Sequence, residues 1–266
     1  MAPLGVARPV IYSGAGRDGS TAAKAGDSAE QILTDYPSSQ DGVYFINLPT
    51  VGPTPVYCIM DTNHDGGGWM MALKATRGTT FGYNANYWTT NNTLNSGATN
   101  RSNGDAKFDT FNYYPALHLL AIFPDIGAGG SYNYDGKWTW LQKPIYGGSS
   151  TTRTNLDNLF STANEYFLGD AKQYSGYGNA WSSQKDVRFY GYNYTGGHGA
   201  AVRWGFGWNE NGGGLYPNGN MSSDDVSGGI GMNPSFGRDY SAGDYIRCCQ
   251  DSTGINRSAR VEIYVR

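Results

Sequence analysis

Cysteine is scarce in this chain: Cys58, Cys248 and Cys249 are the only three in 266 residues. An odd count with one adjacent pair makes no disulfide framework. Neighbouring cysteines bridge each other only through a strained ring. The expectation is a chain that folds under reducing conditions. Charged residues are also few, at 15%, and the net charge is −3. That excludes the basic footprint of a nucleic-acid binder. No apolar run reaches transmembrane length, so membrane insertion is not expected. The opening MAPLGVARPVIYSGAGRDGS lacks the apolar centre of a secretory signal, so the sequence reads as carrying no export address. Catalytic motifs are missing too. The histidines, His64, His118 and His198, stand apart from any motif, and neither G-x-S-x-G nor H-E-x-x-H occurs. Asp224 and Asp225 are adjacent, and adjacent carboxylates do not flank a glycosidic bond at the separation hydrolysis needs. An enzyme is not expected.

What is abundant is glycine, at 39 residues, together with 21 tyrosines and 7 tryptophans. Without a collagen period, and with so many aromatics, this composition describes a loop-rich fold held together by ring packing. The length suits one large domain or two small ones. Residues 1–27 read as an N-terminal arm or anchor, and residues 28–266 as the domain proper. Ser28 to Leu33 reads as a short helix capped by Asp27 or Ser28. Gly42–Ile46, Pro55–Met60 and Trp69–Lys74 read as an antiparallel meander of strands. Residues 78–107 form a long polar loop, and His118–Phe123 a buried strand or short helix. Asn155–Phe167 carries apolar residues at helical spacing. Val187–Tyr192, Ala201–Phe206 and Ala259–Val265 alternate as strands, and residues 207–254 are almost entirely turn chemistry. The class is α+β, with short antiparallel sheets, few helices and long ordered loops. Five N-x-[ST] sequons begin at Asn91, Asn100, Asn193, Asn220 and Asn256.

The stretch MDTNHDGGGWMM, residues 60–71, begins like a calcium-binding EF-hand loop, with Asp61, Asn63 and Asp65 alternating and Gly66 at the sharp turn. The twelfth position should be a bidentate Glu, and here it is Ala72. A polar turn between two strands is the better reading. The surrounding SSQDGVYFINLP and PVYCIMDTNHDGGGWMMALKATRG resemble the start of a fibrinogen-like C-terminal domain over about 40 residues. That resemblance implies that Asp61 to Gly68 is a tight turn and that Trp69 packs inward. The family pairs the Cys of V-Y-C with an earlier Cys near the short helix; here Asp27-Ser28-Ala29 stands there, leaving Cys58 without that partner.

Further on, VRWGFGWNENGGGLYPNGNMSSDDVSGG and the terminal ARVEIYVR resemble the intelectin branch of the family, the calcium-dependent X-type lectins. Carried over by position, Glu210 or Asn211 answers the first ligand cluster. Gly212 to Pro217 answers the glycine run, and Asp225-Val226-Ser227-Gly228 the D-F-S-G segment. This chain departs from the pattern at Asn218, which replaces a Glu, and lacks the histidines of the first cluster. The oxygen-bearing residues Asn209, Glu210, Asn211, Asn218, Asn220, Asp224 and Asp225 suit a hard cation, Ca2+, structural or sugar-bridging, and with no His or Cys among them do not suit zinc. Trp208, Tyr216 and Tyr245 are the aromatic candidates for a sugar platform. The resemblance implies a calcium-dependent module that binds carbohydrate or a receptor, its partner a surface glycan or glycoprotein. A recognition fold without bridges or signal fits a virion protein that contacts the host surface. The N-terminal arm would then join it to other virion proteins, and homo-oligomerisation stays open; an extracellular location is the alternative. The competing reading is a capsid or tail decoration protein of the same fold that binds no glycan.

Overall fold

The computed structural model describes residues 16–127, 137–161, 165–168, 187–195, 201–208, 226–232, 242–247 and 260–266. Twelve strands build two sheets, and every strand pair described is antiparallel. The first sheet holds β1 (Gly42–Leu48), β2 (Gly52–Ile59), β3 (Trp69–Thr76), β4 (Ala106–Lys107), β5 (Leu119–Gly127), β6 (Lys137–Gln142) and β12 (Arg260–Val265), in the order β1-β2-β3-β12-β5-β6, with β4 beside β3. The second holds β7 (Tyr166–Phe167), β8 (Val187–Thr195), β9 (Ala201–Trp208), β10 (Val226–Met232) and β11 (Ala242–Arg247), in the order β11-β10-β9-β8-β7. Three short α-helices complete the described part: α1 (Ala29–Asp35), α2 (Asp109–Tyr113) and α3 (Leu156–Ser161). The molecule is thus mostly antiparallel sheet with few helices.

The terminal strand is central rather than marginal. β12 lies between β3 and β5, pairing Glu262 with both Lys74 and Ile122. β3 is buried along nearly its whole length. A strand covered on both faces loses the polar alternation of a half-exposed one, hence Trp69-Met70-Met71-Ala72-Leu73. Register shifts between Ile263 and Tyr264, leaving Ala72 as the extra residue of a bulge. Its carbonyl accepts the Phe108 N–H at 3.1 Å instead of a ladder bond. The bulge reverses the alternation. Met70 precedes it, Ala72 is the bulged residue, and Leu73 and Ala75 follow it, yet all four join the main core, while Trp69 and Met71 face a smaller cluster with Phe108 and Tyr264.

The two sheets share the main core. Trp140 of β6 meets Trp204 of β9 edge-on at 5.8 Å. Tyr190 donates to Gln142 Oε1 at 2.8 Å, and Tyr192 to the Ile145 carbonyl at 3.0 Å. Glycine lets the β9–β10 ribbon close: a Cβ on Gly205 would lie 2.1 Å from the Gly228 carbonyl oxygen. This is where the high glycine count does structural work beyond turns.

Several expectations are met in detail. Ser28 caps α1, its side chain accepting the Gln31 N–H at 3.0 Å. The Asp61–Gly68 segment is a turn between β2 and β3, and Trp69 is fully buried. Others need correction. The helix foreseen over Asn155–Phe167 is described over Leu156–Ser161, with Leu156, Leu159 and Phe160 buried, whereas Tyr166 and Phe167 pair with Tyr192 and Gly191 as β7. Ladder pairing there overrides helical spacing. Residues 207–254, read as turn chemistry, contain β10 and β11. Residues 16–27, the described part of the expected arm, lie along the outer edge of β1, a placement that leaves the arm's role open: Phe45 N–H donates to Gly19 O at 2.8 Å, and Gly26 N–H to Phe45 O at 3.0 Å. Asp27 pairs with Arg17, and the Gly16 N–H donates to the Tyr36 hydroxyl at 3.0 Å. Residues 1–15 lie outside the described residues.

Candidate functional site

Strand direction in the second sheet decides which loops meet. β8 begins at Val187, β9 ends at Trp208, β10 begins at Val226 and β11 ends at Arg247. Val187 pairs with Trp208, Trp208 with Val226, and Val226 with Arg247. These four residues form one row across one end of the sheet. Residues 169–186 lead into that row, residues 209–225 join its two middle strands, and residues 248–259 leave it toward β12. Three long segments are therefore joined to neighbouring strand ends of one sheet.

The candidate calcium ligands Asn209, Glu210, Asn211, Asn218, Asn220, Asp224 and Asp225, and the candidate platform Tyr216, lie outside the described residues. What the structure supplies is their flanks. Trp208 is the last residue of β9 and Val226 the first of β10. Tyr245 lies across from Gly228 on β11, two positions in from the end row. His198 and the Cys248-Cys249 pair also lie outside the described residues.

The EF-hand-like turn is spent on other bonds. Asp61 Oδ1 accepts the Asn63 N–H at 3.0 Å. Asp65 Oδ2 receives Lys143 Nζ at 2.9 Å and Arg266 Nη2 at 2.8 Å. The two cations hold its carboxyl below its usual range against the opposing effect of burial. Among the described residues no group of three His, Cys, Asp or Glu could hold a metal ion.

Sequence reasoning did not foresee Arg266. Its guanidinium is buried, lies 4.3 Å over the Trp69 ring, and donates to the carbonyls of Asp65 and Gly67 at 2.8 Å each. Nη2 is 3.4 Å from His118 Nδ1. A guanidinium only donates, so Nδ1 is the acceptor and His118 is the neutral tautomer protonated on Nε2. Partial burial and the neighbouring cations Arg266 and Lys143 lower its pKa from 6.5 to about 4. A terminal basic residue after an apolar strand gave no sign of this role; the link spans 201 positions of sequence to Asp65.

Two more buried cations tie loops to the first sheet. Lys74 Nζ donates to the carbonyls of Asn100 and Ser102 at 2.9 and 3.2 Å. Lys107 is wholly buried, donates to Thr90 O at 2.5 Å and lies 4.5 Å over the Phe111 ring. Burial lowers its pKa to about 8. Glu262, also buried, accepts from Arg101, Arg260 and the Tyr264 hydroxyl at 2.7–2.8 Å. These contacts order the 78–107 segment against the sheet. Cys58 is a free, buried thiol whose pKa burial pushes up; it is unreactive as placed. No protein-family model matches the chain, and no curated protein matches it.

Proposed function

We propose that this chain is a calcium-dependent recognition module of fibrinogen/intelectin-like type, binding carbohydrate or a glycoprotein receptor from a virion surface. One observation carries the reading: the ends of β8, β9, β10 and β11 form a single row, so that the oxygen-rich residues 209–225 are anchored between two further long segments. A hard cation there would gather Asn, Asp, Glu and backbone oxygens in six- to eightfold coordination. Trp208 and Tyr245 belong to the strands that flank it and are the aromatic candidates for the apolar face of a sugar. The resemblance of residues 38–78 and 202–229 to the family supports the same placement. A recognition domain held together without bridges at Cys58 suits assembly in a cytoplasm.

The test is a glycan array probed in calcium and again in EDTA, with Asp224→Asn/Asp225→Asn beside the unaltered chain. Glycan signal that needs calcium and fails in the double variant supports the reading. A protein that enters particles normally yet binds no glycan in either buffer is instead a decoration protein.

A further inference from the structure

The loop after β3 contains a chemically unstable pair. Asn103 is exposed and is followed by Gly104, whose φ of +133° lies in the region natural to glycine. The Gly104 N–H donates to Asn103 Oδ1 at 3.1 Å. That contact sets the main-chain nitrogen of residue 104 beside the carboxamide whose carbon it would attack. No side chain on residue 104 shields the nitrogen, and beyond residues 103 and 105 no described atom lies within 4 Å of where a Cβ would stand. The Asn103 amide nitrogen, the leaving group, makes no hydrogen bond among the described residues.

The neighbourhood holds this geometry. On one side, Ser102 O is fixed by Lys74 Nζ. On the other, Asp105 Oδ1 accepts the Thr76 N–H at 2.6 Å and its hydroxyl at 2.7 Å, and Asp105 O accepts Asn95 Nδ2 at 2.9 Å. The dipeptide is thus an exposed bridge between two pinned points. Other asparagines nearby differ. Asn95 and Asn100 precede Ser96 and Arg101 rather than glycine; Asn95 spends its amide nitrogen on Asp105, and Asn100 spends its oxygen on Ser102.

We infer that Asn103-Gly104 is a site of self-modification, in which the folded protein converts residue 103 to a mixture of aspartate and isoaspartate. The Gly104 nitrogen gives its proton to hydroxide and forms a bond to Asn103 Cγ. The Cγ–Nδ2 bond breaks, and ammonia leaves with a proton from water. Water then adds to either carbonyl of the resulting succinimide and opens it. The net change is one amide nitrogen lost as ammonia and one water oxygen gained. Opening at one carbonyl restores the original main chain with a new negative charge. Opening at the other inserts a methylene into the main chain between the Lys74 and Thr76 anchors. The modification therefore acts on the loop that Lys74 holds against β3.

The experiment incubates the native chain in mildly alkaline buffer, beside a urea-unfolded control, and follows the tryptic peptide 102–107 by mass spectrometry. The expected result is a gain of about one mass unit in that peptide from native protein, with isoaspartate detected by isoaspartyl methyltransferase labelling and both signals lost in Asn103→Gln. The pairs Asn211-Gly212 and Asn218-Gly219 fall in other peptides and are read separately. If peptide 102–107 stays unmodified in the native chain over a period that converts it in urea, the fold protects the site and the inference is overturned.

Discussion

At the scale of single residues, buried cations do much of the work that cystine bridges do in secreted recognition domains. Arg266 joins the end of β12 to the Asp61–Gly68 turn and to His118. Replacing it with Met removes one of the two cations on the half-buried Asp65 carboxylate, leaving Lys143, and the donors for two turn carbonyls. The expected loss is about 3 kcal/mol, read from urea unfolding. His118 adds a pH dependence. Its folded pKa, about 4, lies below its ordinary 6.5, so between these values the unfolded chain binds more protons. Stability should fall as pH drops from 6.5 toward 4 and then level off with respect to this group. In His118→Asn that part of the slope disappears. Lys107 gives the corresponding effect on the alkaline side. Its pKa is lowered from 10.5 to about 8, so stability should rise between pH 8 and 10.5 relative to Lys107→Met. Thermal unfolding across both windows checks the two signs together.

At the scale of elements, the β1–β2 hairpin shows how an open sheet is kept from pairing with other chains. Beyond Cys58 and Ile59, β2 has no described ladder with β3. Pro53 and Pro55 fall at the positions whose N–H groups would face that gap, opposite Asn47 and Phe45. Prolines there remove the donors an incoming strand would need, while residues 16–27 cover the far side of β1. Pro53→Thr/Pro55→Thr should self-associate, seen as a shift to larger species in light scattering at unchanged secondary structure. The hairpin tip is strained. Thr50 has φ +71°, and the Val51 N–H donates to Pro49 O at 2.8 Å, which defines a γ-turn of the rare positive-φ kind. Thr50→Gly should raise stability by about 1 kcal/mol, measured by the urea midpoint. Much of this level was legible in the sequence. Apolar runs between turn residues placed β1, β2, β3 and β12, alternation placed β8 and β9, and Ser28 announced α1. What stayed hidden has a physical cause. Four of the seven residues of Val226–Met232 are glycine or serine, so Val226, Ile230 and Met232 alone carry its alternation; its pairing is set largely by β9 and β11. Tyr166-Phe167 continued a helical spacing that only the ladder with β8 interrupts.

At the scale of the whole molecule, the first sheet holds the buried cations Lys74 and Lys107 and the second gathers four strand ends in one row. The sequence located the oxygen-rich segment but could not say what stands beside it, because adjacency across β8 to β11 is a matter of strand order. The register supplies that adjacency. It makes residues 169–186 and 248–259 the neighbours that a site built on residues 209–225 would use. Removing the carboxylates at 224 and 225 is expected to affect ligand binding while leaving the first sheet intact. Unfolding in calcium-free buffer should then show the same urea midpoint for Asp224→Asn/Asp225→Asn as for the unaltered chain.

The most direct test is calorimetric titration of the metal-free chain with calcium. The account predicts saturable binding that Asp224→Asn/Asp225→Asn abolishes; heat no greater than that of dilution, or binding that survives the double substitution unchanged, would contradict it.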